Sequence, residues 1–213
     1  TGEVRRVHGG AILKKTNIKE TNFIVRETIH KEWKEEIGKV AVSFVEEGDC
    51  IALDVSTTNT EVIKCLVASF NQLSIVTNCL TIATIAAQNP NFSVFLPGGK
   101  LKNSELCLIG QEAISFIDKF HIDTFFMSAS GVSIEKGFLD YGLDELDVKH
   151  AMLNNATATF AVMDHTKFYK TAIFKIGSTT IVDGIITDCG IQEETITSFK
   201  ESGIMIYTTE HII

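Results

Sequence analysis

From residue 50 onward, short apolar runs rich in β-branched and aromatic side chains recur along the chain: CIALDV (50–55), LSIVTN (73–78), FSVFL (92–96), DTFFMSA (123–129), TATFAVM (157–163), TAIFKI (171–176), DGIITD (183–188) and GIMIYT (203–208). Runs this short, continuous rather than alternating, predict strands buried on both faces. Between most of them lie amphipathic segments of helical length, at 58–70, 79–89, 110–120, 144–156 and 192–202. Strands that alternate with helices pair in parallel, which predicts an α/β fold: a doubly wound, mostly parallel sheet with helices on both faces. Ahead of this region Phe23, Ile24, Ile29, Trp33, Ile37, Val40, Ala41 and Phe44 recur with helical periodicity, which predicts one long or bent N-terminal helix over 19–45.

Such a sheet binds its ligands beyond the carboxyl ends of the strands, where the following helices begin. The first strand ends in Asp54, and Ser56 to Thr60 are all small and polar. A helix over 58–70 would bring free backbone N–H groups and the positive end of its dipole beside the hydroxyls of Ser56, Thr57 and Thr58, an arrangement that attracts anions. Helix capping alone would account for one such residue. The other strand ends repeat the chemistry: Thr77 and Asn78 close the second, Gly98 and Gly99 follow the third and let backbone approach a ligand, SASGVS (128–133) ends the fourth, and Asp164 and Lys167 follow the fifth. Together they describe a crevice for a small polyhydroxylated molecule bearing a phosphate. Proton-transfer chemistry on such a molecule would draw on Asp54, Asp164, Lys149 or Lys167, with His165 beside the site in sequence and His121 read as a surface residue.

Composition narrows the classes. The chain has 213 residues, 45% hydrophobic and 22% charged, as expected for a globular domain with a sizeable core. Its formal charge of −8 argues against a grip on nucleic acid by this chain alone. Residues 1–39 depart from that balance, with nine Lys or Arg against six Glu, so that +3 sits there and −11 on the rest. The five cysteines (50, 65, 79, 107 and 189) form no CxxC pair, which favours reduced thiols over disulfides or a zinc site. No apolar stretch approaches the length of a membrane span, and the simplest compartment is the cytoplasm. Nucleotide-binding and serine-hydrolase signatures (GxxxxGK[ST], GxGxxG, GxSxG) are absent, as is HExxH.

In order along the chain, EVRRVHGGA (3–11), LDVSTTNT (53–60), IVTN (75–78), LPGGK (96–100), SASGVSIEKG (128–137), VKHAM (148–152) and MDHTKF (163–168) resemble the effector-sensing half of the DeoR family of bacterial transcription regulators. The resemblance implies a fold like that of ribose-5-phosphate isomerase and glucosamine-6-phosphate deaminase, reused to sense a phosphorylated sugar. It implies that residues 1–18 are a linker from an N-terminal winged helix-turn-helix and 19–213 the effector-binding domain. It also implies a pocket formed by Asp54, Ser56, Thr57, Thr58, Thr77, Asn78, Gly98, Gly99, Ser130, Gly131, Lys149, Asp164 and Lys167. Two departures stand out: Ser56 occupies a position usually held by Gly, and SASGVS lacks the acids that a related isomerase keeps in that loop. The expected function is therefore that of a sensor, of a repressor in the sense of this family, without catalytic residues, cofactor or metal. Its partners would be a phosphorylated sugar, operator DNA through the N-terminal domain, and further copies of itself in a homodimer or homotetramer, with no membrane. A sugar-phosphate isomerase or deaminase, and an oligomerisation module with a vestigial pocket, are the alternatives.

Overall fold

The structure, a computed structural model, describes residues 4–7, 10–13 and 23–210, giving the backbone alone for the first two stretches and for Ile24. In chain order its strands are β1 (Val4–Val7), β2 (Gly10–Leu13), β3 (Cys50–Leu53), β4 (Ser74–Thr77), β5 (Ser93–Phe95), β6 (Lys100–Lys102), β7 (Cys107–Ile109), β8 (Ile122–Ser128), β9 (Gly131–Ser133), β10 (Gly137–Asp140), β11 (Ala156–Val162), β12 (Phe174–Gly177), β13 (Gly184–Ile186) and β14 (Met205–Tyr207). The helices are α1 (Phe23–Thr28), α2 (Lys31–Ala41), α3 (Thr57–Ser69), α4 (Leu80–Ala86), α5 (Gln111–Ile117), α6 (Leu143–Asn155) and α7 (Glu193–Glu201).

Seven strands form one sheet in the order β14-β13-β11-β8-β3-β4-β5, every pair parallel. From β3 the chain steps outward through β4 to β5; from β8 it steps outward the other way through β11 and β13 to β14. The winding reverses between β3 and β8, where Leu53 lies opposite Phe126. The crevice of a doubly wound sheet opens at such a reversal.

Successive side chains of a strand point to opposite faces, and here both faces are covered. Ile51 and Leu53 of β3 pack with Ile37 and Val40 of α2, Val62, Ile63 and Leu66 of α3, and Ile82 of α4. Ala52, between them, faces Phe125 and Met127 of β8, Met152 of α6 and Phe199 of α7. Burying each large side chain contributes roughly 1.5–3 kcal/mol, which is why the central strands read as unbroken apolar runs.

Two expectations need correction. The run at 171–176 does not join the main sheet; its strand, β12, pairs with β10 in a small antiparallel sheet ordered β12-β10-β9. The single helix over 19–45 is two helices and a closing 3₁₀ turn at Val42–Phe44, with residues 19–22 outside the described residues. The break falls at Ile29–His30, where His30 takes a left-handed backbone (φ 55°, ψ 40°) and stacks its ring on Trp33 at 3.9 Å. Lys34 Nζ spans the break by donating to the carbonyl of Arg26 (2.5 Å), which also accepts from Ile29 N (3.3 Å), and to the carbonyl of Ile29 (2.7 Å). Trp33 is half-buried, its ring meeting that of His30 and, at 4.4 Å, that of His165.

Candidate functional site

A cavity of about 430 Å³ opens at the β3/β8 reversal, within the size range of small-molecule sites. Its floor is set by Asp54, the residue after β3, which is 3% exposed. The Asp54 carboxylate accepts hydrogen bonds from Asn59 Nδ2 (2.8 Å) in the first turn of α3, from the Ser128 backbone N–H (3.0 Å) at the end of β8, and from Lys149 Nζ in α6. Lys149 Nζ also donates to Ser128 O (2.6 Å) and lies 3.6 Å from Asp140 Oδ2. Burial pushes the Asp54 carboxyl up, against the pull of the Lys149 ammonium. Burial alone would push the Lys149 amine down, but the Asp54 and Asp140 carboxylates outweigh it and hold its pKa above the ordinary lysine value. An ammonium and two amide donors on its oxygens favour the charged form of Asp54 against that burial.

Beside this floor starts α3. Ser56 is its N-cap, in extended backbone (φ −162°, ψ 157°) that any residue adopts, and Ser56 Oγ accepts from Asn59 N at 2.9 Å. Serine at the position where the family usually has glycine is thus accommodated without strain. Thr57 and Thr58 line the cavity from the first turn, where backbone amides have no intrahelical acceptor. The opposite wall is the turn after β11. Asp164 caps it by accepting from Thr166 N (3.0 Å) and Thr166 Oγ1, while the Lys167 ammonium lines the cavity with no hydrogen-bond or ion-pair partner among the described residues. Lys34, 4% exposed, reaches the same space, and burial pushes its pKa down to about 8 although the Asp164 charge opposes the shift. Asn78 lines the cavity from the end of β4; its Nδ2 donates to Leu108 O (3.1 Å), and its buried Oδ1 has no hydrogen-bond partner among the described residues.

Of the thirteen residues expected at the site, nine line this cavity: Asp54, Ser56, Thr57, Thr58, Asn78, Ser130, Lys149, Asp164 and Lys167. Four do not. Thr77 is fully buried behind it, donating from Oγ1 to Leu53 O at 2.6 Å and so tying β4 to β3. At Gly99 (φ 130°) a Cβ would meet Ile109 O at 2.6 Å, so the close backbone approach there is to β7. Gly98 sits in the same turn, and Gly131 packs on the Lys170 carbonyl, which a Cβ would meet at 2.4 Å. His121 is exposed, and His165 turns to Asp188 (Nδ1–Oδ2 2.6 Å).

The structure adds wall residues that sequence reasoning did not find: Arg26 and Lys34 from the α1/α2 region, and Glu105, Asp140 and Glu145 among the carboxylates. Acids absent from the 128–133 loop are thus supplied by other elements. Each is already engaged: Asp140 accepts from Ser130 Oγ (2.7 Å) and Tyr141 N (2.9 Å), Glu105 pairs with Arg26 (2.5 Å), and Glu145 pairs with Lys102 (2.7 Å). Asp140 is the last residue of the short strand β10.

Residues 29–189 match the family model described as the DeoR C-terminal sensor domain. The HTH-type transcriptional regulator GolR of Listeria innocua is 33% identical over 210 residues, 99% of this chain and 82% of that protein. The glycerol-3-phosphate regulon repressor of Escherichia coli is 30% identical over 185 residues, 87% of this chain and 73% of that protein. Among solved structures, a translation initiation factor eIF-2B of Pyrococcus horikoshii has a TM-score of 0.50 at 16% identity over 74% of this chain and 62% of its own. Ribose 5-phosphate isomerase A of Methanocaldococcus jannaschii has a TM-score of 0.48 at 17% identity over 66% of this chain and 55% of its own, so the matched part is about half of the isomerase. Among the described residues no helix is long and apolar enough to cross a membrane.

Two outcomes follow from the electrostatics. Lys149→Met leaves the Asp54 carboxylate buried without its cation and is expected to cost about 3–5 kcal/mol in urea unfolding; the double variant with Asp54→Asn is expected to lose less than the sum of the single losses. At Lys34 the folded chain binds fewer protons than the unfolded chain between about pH 8 and the ordinary lysine value of 10.5, so this group adds stability as pH rises through that window. In paired unfolding measurements the wild type should therefore gain on Lys34→Met between pH 7 and pH 10; a constant difference contradicts the assignment.

Proposed function

This chain belongs to the DeoR family of transcriptional regulators, whose C-terminal sensor domain it carries, and from that premise we propose that the cavity binds a phosphorylated sugar whose occupancy sets the operator affinity of an attached DNA-binding domain. The observation that carries the reading is the pairing of two chemistries across one small space. One set of lining groups, the first turn of α3 with Thr57 and Thr58, the Lys167 ammonium, which has no hydrogen-bond or ion-pair partner among the described residues, and the Lys34 amine, suits a phosphate. A second set, Asn78 Oδ1, an acceptor with no donor among the described residues, and the Ser130–Asp140 pair, suits hydroxyls. One relative is named for the regulon of glycerol 3-phosphate, itself a small polyol phosphate.

Binding without turnover is the favoured reading because every carboxylate that reaches the cavity is held by ion pairs or hydrogen bonds to the wall: Asp54, Glu105, Asp140, Glu145 and Asp164. A general base needs a carboxylate aimed at the substrate carbon. In the same reading residues 1–18 are the linker from a winged helix-turn-helix, 19–213 form the effector domain, and the regulator works in the cytoplasm as a homodimer or homotetramer, as two-fold operators require.

Thermal unfolding against sugar phosphates paired with their parent sugars tests this. A ligand at about a hundred times its dissociation constant adds roughly 2.7 kcal/mol. At least one phosphorylated sugar is expected to stabilise the chain while its parent does not, and Lys167→Ala should weaken the phosphorylated form far more than the parent. Equal weakening of both removes Lys167 from the phosphate site.

A further inference from the structure

The cavity is walled by more than strand ends. Arg26, Ile29, His30 and Lys34 reach it from the break between α1 and α2. α1 is fastened across that opening at three points. The Phe23 ring is buried in the core on the α2–α4 face. Arg26 reaches Glu105 Oε2 at 2.5 Å, in the turn between β6 and β7, 79 residues away in sequence. Lys34 Nζ holds the Arg26 and Ile29 carbonyls at the far end of the helix. Without these ties nothing in a helix of six residues would keep it in place, since isolated helices of that length do not form in water.

The Lys34 ammonium has three donors. Two go to those carbonyls, leaving one for a ligand in the cavity that Lys34 lines. We infer that Lys34 is a ligand contact that also fastens α1, so that an anion in the cavity tightens α1 across its mouth. This rests on the anion-site reading above. The physical argument is charge: hydrogen bonds donated by an ammonium are stronger than those from a neutral amine, and an adjacent phosphate favours the charged form. In the empty cavity burial opposes that charge, and the nearby Lys167 opposes it as well, while Asp164 supports it. A bound anion therefore adds most where the empty state is weakest. Among the described residues α1 is the first helix after the β1–β2 pair, so the tightening is transmitted toward the N-terminal end of the chain, where the regulator's DNA-binding half is proposed to attach.

Amide hydrogen exchange with inorganic phosphate as the probe separates this inference from the reading beneath it. In the wild type, phosphate is expected to slow exchange several-fold both at residues 57–60, in the first turn of α3, and at 27–30, in the end of α1 and the break. In Lys34→Met, which loses one phosphate contact, more phosphate should be needed to protect 57–60, and at a concentration that restores that protection the effect at 27–30 should still be absent. Protection at 57–60 with no change at 27–30 in the wild type overturns the inference and leaves the site intact. Equal protection of 27–30 in Lys34→Met removes Lys34 from the role. No protection at 57–60 overturns both. Should Lys34→Met not fold, Glu105→Gln serves instead: it loosens the second tie, so exchange at 27–30 should rise in the empty chain and fall back with phosphate, and an unchanged rate overturns the fastening of α1.

Discussion

Where the sheet reverses its winding, a buried carboxylate sits at the ends of β3 and β8. Asp54 is bound there by Asn59 from α3, Ser128 from β8 and Lys149 from α6. Neither charge could stay buried without the other, because desolvating a lone ion costs several kcal/mol. The pair therefore fixes three elements relative to one another and holds the crevice open at a defined width. The α3 first turn, the Asp164–Lys167 turn and the Asn78 corner all converge on the space that this pair defines.

The same arrangement explains how a fold shared with a translation initiation factor serves a sensor. Charged groups abound in the cavity, yet its carboxylates are spent on the wall, while Lys167 and Asn78 Oδ1 keep unused hydrogen-bonding capacity. A site of this kind discriminates by which donors and acceptors a ligand brings, since leaving a buried polar group unpaired costs more than a good hydrogen bond gains. The N-terminal helix takes part in the wall, which gives occupancy a direct physical route out of the cavity.

Much of this was legible in the sequence because it is local. Continuous apolar runs gave the seven strands of the sheet, and the cluster from Ser56 to Thr60 marked the helix start at the crevice. The cavity residues that escaped notice are those whose position depends on distant partners. Arg26 meets Glu105 from 79 residues away, and the break that turns Lys34 inward occurs at a histidine, where neither glycine nor proline announces it. Asp140 comes from a four-residue strand in a small antiparallel sheet, too short for its alternation to register. Gly98 and Gly99 suggest ligand approach because glycine permits close contact, but at Gly99 the contact is with the chain's own backbone, as it is at Gly131, which only the family resemblance placed in the pocket.

The central claim is that one end of this cavity is built for a phosphate. A crystal structure of the chain with whichever sugar phosphate stabilises it tests that claim most directly. The account predicts the phosphorus atom beside the first-turn amides of α3, with its oxygens within hydrogen-bonding distance of Thr57 or Thr58 and of Lys167 or Lys34. A ligand seated with its phosphate at the Glu105–Glu145 end, or outside the β3/β8 crevice altogether, would contradict it.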